Sequence, residues 1–210
     1  MGLSITDGVT CTTILNCDSY GNFDVESNGE TADGFGAKYD LGPGNVFRGC
    51  RAWDNADDGW DLWGSTGAVR LEDCWAFRNG LNVIGDPAYA GDGNGFKLGT
   101  TADVNAHHVL VRCVAWDNRL GNGFEDNKNA AGYRNAKANF EAADVGPHVA
   151  AADFRSLDDT IASGPRAPDG SLPVSDFLHL GPTSRLIDAG TDVGLAFLGA
   201  APDLGAYEVR

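Results

Sequence analysis

Four aspartates, Asp54, Asp57, Asp58 and Asp61, fall within eight positions of the stretch WDNADDGWDLW, between tryptophans. Carboxylates at that density repel one another unless a cation joins them. Hard oxygen donors in such number suit Ca²⁺, which takes six to eight oxygens at about 2.3–2.6 Å and tolerates irregular geometry. The run is not an EF-hand: from Asp54 the third position is Ala56, and the twelfth is Ser65, where a bidentate Glu belongs. A solvated acidic face is the alternative reading. The second residue of interest is Lys97, in GDGNGFKLG. The glycines there make no Walker loop, since no G-K-[ST] follows. A partly desolvated lysine close to a bound cation has its neutral form favoured and can accept a proton; on an acidic surface it is only an ion-pair partner.

Whether these residues meet depends on the elements that carry them. Glycine, 29 of 210 residues, runs at about twice its usual ~7%, and Asn-Gly and Asp-Gly pairs recur, so turns are frequent and long helices are not expected. The pieces CDSYGN, CRAWDN, CWAFRN and CVAWDN, starting at Cys17, Cys50, Cys74 and Cys113, share the pattern C-x-[AS]-aromatic-x-N, and AAGYRN from Ala130 is a weaker fifth copy. The steps between them are 33, 24, 39 and 17 residues. A second ladder, [DN]-G-[FW], runs through Asp33, Asp58, Asn94 and Asn122 in the same order. Segments such as NVFRG, AVRLED and HHVLVR add a third strand-like piece per unit. Three short strands in a coil of about two dozen residues make an all-β, single-stranded parallel β-helix, a solenoid; its hand is expected to be right-handed, as for parallel crossovers generally. The long steps place insertions at Phe23 to Ala32 and at Leu81 to Gly93. The short last step cuts a coil near AAGYRNAKANF, so residues 1–140 are expected to form coils, and 141–210 an irregular tail packing on them.

In this register coils stack about 4.8 Å apart. Gly36, Asp61, Lys97 and Glu125 share one column, and Asp33, Asp57, Asp58 and Asp61 converge from two adjacent coils, with Lys97 one coil beyond. Cys17, Cys50, Cys74 and Cys113 form a buried apolar column; a zinc site or disulfide framework is disfavoured by the missing C-x-x-C and the odd total of five cysteines. The Asn22, Asn55, Asn79 and Asn118 column closes turns. His107 and His108 are read as surface or turn residues. The formal charge of −15 argues against nucleic acid or an anionic membrane as partner and favours a cation. No run is long and apolar enough for a transmembrane helix, and the first ten residues lack the features of a signal peptide.

ADGFGAKYDLGPGNVFRGCRAWDNADDGWDLW, followed by GDGNGFKLG and NGFEDN, resembles the signature region of the family-nine polysaccharide lyases, pectate lyases on a right-handed parallel β-helix. The resemblance covers roughly Leu15 to Asn129. It implies a calcium site made by Asp33, Asp57, Asp58 and Asp61, with Lys97 as Brønsted base in the β-elimination of an acidic polysaccharide, polygalacturonate. It implies a secreted protein, and a monomer is expected. Met1 stands almost inside a coil, which against the family pattern reads as an N-terminal truncation. Segments RLIDAG and PDLGAYE of the tail resemble the C-terminal segments of exported bacterial β-helix proteins. Lys38, Arg48 and Lys128 are candidates for binding substrate carboxylates, with plain surface charge as the alternative. Two other functions stay open: a β-helix glycoside hydrolase, for which Asp57 and Asp61 would imitate the carboxylate pair, and a calcium-stabilised carbohydrate-binding or surface protein in which Lys97 is incidental.

Overall fold

The structure, a computed structural model, describes residues 1–99, 106–127, 150–190, 192, 194 and 196–209, and the backbone of 133–135. Among these residues, fourteen short strands build three parallel sheets. The first stacks β1 (Leu3–Thr6), β4 (Phe35–Lys38), β7 (Trp60–Asp61), β10 (Phe96–Lys97) and β13 (Phe124–Glu125). The second stacks β2 (Thr13–Leu15), β5 (Asn45–Arg48), β8 (Val69–Glu72), β11 (His108–Val111) and β14 (Tyr133–Asn135). The third stacks β3 (Asp18–Tyr20), β6 (Arg51–Trp53), β9 (Trp75–Phe77) and β12 (Val114–Trp116). The chain visits the sheets in the same order in every coil, which is the β-helix that the two ladders require.

The ladders fix the register because each column is a repeated interaction. Cys50, Cys74 and Cys113 are buried in the core, and all five cysteines are free. Phe35, Trp60, Phe96 and Phe124 stack face to face at centroid spacings of 4.8, 4.8 and 5.0 Å, filling the core behind the first sheet. In the asparagine column each amide donates to the carbonyl oxygen of the next, at 2.7 Å from Asn22 to Asn55 and 2.9 Å from Asn55 to Asn79 and from Asn79 to Asn118. The amides of Asn55 and Asn79 are fully buried and are satisfied only when the coils are in step, so a slipped coil would orphan them. The glycine of each [DN]-G-[FW] sits where coils nearly touch: a Cβ at Gly59 would lie 2.6 Å from the Gly95 carbonyl oxygen.

The structure departs from the sequence expectation at AAGYRN and at His108. The fifth copy, AAGYRN, does not extend the cysteine ladder: Tyr133 pairs with His108 in the second sheet. The reason is coil order, since the strand that follows the first-sheet strand β13 must enter the second sheet. His108 is not a surface residue but is 1% exposed. Its Nδ1 accepts the Val69 amide at 3.1 Å, satisfying a backbone donor between coils. Burial holds its pKa down to about 4, with His107 adding to the effect.

The segment 150–209 lies along the third sheet. Arg51, almost fully buried, donates to the Ala162 and Gly164 carbonyls and ion-pairs with Asp18. Trp75 Nε1 donates to the Tyr207 hydroxyl at 3.0 Å and Trp116 Nε1 to Asp159 at 3.0 Å. This cover leaves the outward face of the first sheet, on the other side of the coil, to the acidic cluster.

Candidate active site

Alternation along β7 and the residues after it decides what faces outward: Trp60 and Leu62 are fully buried in the core, and Asp61 and Trp63 point away from it. Asp61 stands beside Gly36 on one side and Lys97 on the other, and Lys97 stands beside Glu125. At the turn that enters the sheet, Asp33, Asp57 and Asp58 bring carboxylate oxygens within 4.8 Å of one another, all three side chains buried. Several are held by amides of the neighbouring coil. Asp58 N donates to Asp33 Oδ1 at 3.3 Å; Asn94 N and Nδ2 donate to Asp58 Oδ1 at 2.7 and 2.9 Å; Asp92 N donates to Asp57 Oδ1 at 2.7 Å.

Both lysines of this face are engaged by the cluster. Lys38 Nζ lies 2.9 Å from Asp33 Oδ2 and also ion-pairs with Asp61. Lys97 Nζ lies 2.8 Å from Asp92 Oδ2 and 3.4 Å from Asp58 Oδ2. Asp33 Oδ2 and Asp58 Oδ2 are buried without a hydrogen bond, so the ammonium groups meet them as charge at poor angles. Five carboxylates therefore share two cations. Burial raises Asp33 above its ordinary value, helped by the charge of Asp61. It pushes Asp57 up to about 9, with Asp58 and Asp33 adding to it, and Asp58 up to about 7, against the pull of Lys97. Burial alone would lower Lys97, but Asp58, Asp61 and Asp92 outweigh it and hold the ammonium above its ordinary value.

Of the residues expected from sequence, Asp33, Asp57 and Asp58 come together, with Lys97 against them. Asp61 is adjacent but bound to Lys38, and its Oδ1 accepts the Trp63 amide at 2.9 Å. The carboxylates around Lys97 favour its ammonium form, whereas the neutral form was expected for a lysine beside a bound cation. Lys38, expected as a surface contact for substrate, is 7% exposed inside the cluster, where it compensates two aspartates. Arg48 pairs with Glu72 on the second sheet, a different face from Lys97, and lines a cleft of about 440 Å³ with Trp75, His179 and Tyr207. Lys128 lies outside the described residues.

Sequence reasoning missed Asp92 and Tyr89, both in the Leu81 to Gly93 insertion. Tyr89 donates its hydroxyl to the Ala56 carbonyl, and Ala90 N donates to Asn28 O at 3.0 Å, so the two insertions meet beside the cluster. Gly91 makes the approach possible, since a Cβ there would lie 2.1 Å from the Ala56 oxygen. The alternation of glycine with Asp92 and Asn94 in GDGNG was the available signal.

The residues fit a hard divalent cation. Their donors are carboxylate oxygens, two buried oxygens lack hydrogen bonds, and negative charge exceeds the ammonium charge.

Residues 1–145 match the family described as Pel9A-like, right handed beta helix region. Pectate lyase L of Dickeya dadantii (strain 3937) is 41% identical over 248 aligned positions, covering 99% of this chain and 58% of that protein. The crystal structure of pectate lyase Pel9A superposes with a TM-score of 0.87 at 38% identity, over 99% of this chain and 62% of that one. A rhamnogalacturonan lyase gives a TM-score of 0.66 at 27% identity, over 82% of this chain and 58% of that one. The chain spans between 58% and 62% of the length of these three relatives. The right-handed coil, the stacked rows and the family match together make this chain a member of the Pel9A-like right-handed β-helix family.

Proposed function

We propose that the chain is a calcium-dependent pectate lyase acting outside the cell on polygalacturonate, with Lys97 as base and Asp33, Asp57, Asp58 and Asp61 as the ion's ligand set. The observation that carries the reading is the position of Lys97 Nζ, 3.4 Å from buried Asp58 in a site short of positive charge. The relatives named pectate lyase support the same reaction. Asp33, Asp57 and Asp58 offer converging oxygens, and Asp61 joins them if Lys38 gives up its pairing.

Calcium held there would withdraw charge from a uronate carboxylate and acidify the neighbouring C5 hydrogen. Lys97 takes that proton on Nζ; the C5–H electrons form the C4=C5 double bond, and the C4–O bond breaks to release the sugar attached there. For this Lys97 must reach the reaction as the neutral amine, so the carboxylates that now favour its ammonium form must have their charge compensated. Asp92 orients the lysine, and the amides of Asn94 and Asp92 keep Asp58 and Asp57 from turning away.

The experiment is an assay of polygalacturonate with calcium and with chelator, following the ultraviolet absorbance of the unsaturated product. Calcium-dependent absorbance is expected. New reducing ends without absorbance would establish hydrolysis instead, and no turnover with retained calcium binding would leave a binding protein.

A further inference from the structure

Two large aromatic side chains stand in water next to this site. Trp63 is 41% exposed and Tyr39 46%, and their rings meet edge to face at 5.5 Å and 82°. Neither ring is part of the core clusters, so core packing does not explain them. Their placement follows from the site's own elements. Trp63 is two residues beyond Asp61 on the same outward face, and its amide is held by Asp61 Oδ1 at 2.9 Å. It follows, by two residues, the Asp61 that pairs with Lys97 in the neighbouring coil.

Tyr39 has a further peculiarity. Its backbone is left-handed, at φ 64°, in the turn that leaves the first sheet. The neighbouring coils use Asp7 (φ 50°) and Gly64 (φ 71°) at this turn, residue types that tolerate the conformation. A bulky aromatic is a costly choice there. It is nevertheless present, lying over Gly64, where a Cβ would come within 3.4 Å of the ring. Its ring braces Trp63.

From these observations we infer that Trp63, braced by Tyr39, is a stacking platform for a pyranose ring of an acidic oligosaccharide, one ring away from the residue that Lys97 faces. A pyranose presents a face of C–H groups and a rim of hydroxyls, and an indole held at a polar edge offers the matching flat apolar surface with its rim in water. The uronide carboxylates would lie toward the cation site and the lysines, continuous with the platform. This assignment rests on the lyase reading for its substrate class.

The test compares wild type, Trp63→Leu and Trp63→Phe as full chains loaded with calcium. A galacturonate trimer is titrated calorimetrically in the cold, with product absorbance followed in parallel. Leucine keeps apolar bulk without a ring, and trimer affinity is expected to fall about tenfold or more, with phenylalanine restoring it to within about threefold of wild type. Calcium affinity without sugar stays unchanged in both variants, which shows that they are folded. Equal trimer affinity in the leucine variant and wild type, equal loss in both variants, or no trimer binding by wild type overturns the platform. The lyase reading fails separately: trimer bound through Trp63 without unsaturated product keeps the platform and removes the reaction.

Discussion

Lys97 and Asp92 are joined at 2.8 Å, and the amide of the same Asp92 donates to Asp57 at 2.7 Å, so one residue of the second insertion ties the candidate base to the cluster. Asp92→Ala keeps the backbone tie and frees the lysine. The initial rate of unsaturated product is expected to fall about tenfold, because a base displaced by a fraction of a bond length loses orientation. Calcium affinity by calorimetry should change little.

Lys97→Arg retains positive charge but stays protonated at every accessible pH. Product formation with saturating calcium is expected to fall by roughly 10²–10⁴, the usual range for removal of a general base. Near wild-type rates would place the base elsewhere.

Asp58→Asn keeps the shape of the side chain and can still accept from Asn94, while removing a buried charge. Calcium affinity should drop by at least about tenfold, a loss of roughly 1.4 kcal/mol. The thermal midpoint in chelator should rise, since the remaining carboxylates repel less. Calorimetry and a melting curve read the two effects independently.

Lys38→Met leaves Asp33 and Asp61 without their shared cation in a site where the lysine side chain is only 9% exposed. Loss of one partner of a buried ion pair costs roughly 3–5 kcal/mol. Denaturant unfolding in chelator should show that loss, and calcium should restore more stability to the variant than it adds to wild type.

The pH dependence in chelator follows from the cluster. Asp57 and Asp58 hold protons more tightly when folded, up to about 9 and about 7, than unfolded carboxyls do near 3.8. Their contribution is complete below the unfolded value and is lost as pH rises through 7 and then 9. Melting temperature in chelator should therefore decline from weakly acidic to alkaline pH, and calcium should flatten that decline. A chelated sample that gains stability over the same range would contradict the protonation assigned to the pair.

The parts of this molecule legible in its sequence are those that repeat. Cysteine, asparagine and [DN]-G-[FW] columns recur once per coil, so the vertical alignment of Asp61 with Lys97 could be read from spacing alone. What was hidden depends on side chains that do not repeat. Nothing in the coil frame says that Lys38 turns into the cluster toward Asp33 and Asp61, because its column neighbour in the next coil is Trp63. Asp92 belongs to an insertion without a ladder, and only the folded loop brings its amide and carboxylate to opposite partners. His108 looked like a turn residue because its role, accepting the Val69 amide, involves a strand 39 residues earlier. AAGYRN matched the ladder in composition, while its sheet was decided by the order in which each coil is wound.

One row of the first sheet runs Asp33, Asp58, Asn94, Asn122, each residue bonded to the next through a backbone amide. The first two are acids and the last two amides, although all four occupy equivalent places on nearly identical backbone. An acid at Asn94 would lose the Nδ2 donor to Asp58 Oδ1, so the change from acid to amide at this rung also supplies the hydrogen bond that closes the acidic stretch. The address of a charge centre on such a scaffold is thus written in side-chain type. On this scaffold the backbone contacts of the row repeat from coil to coil while its charge changes at Asn94.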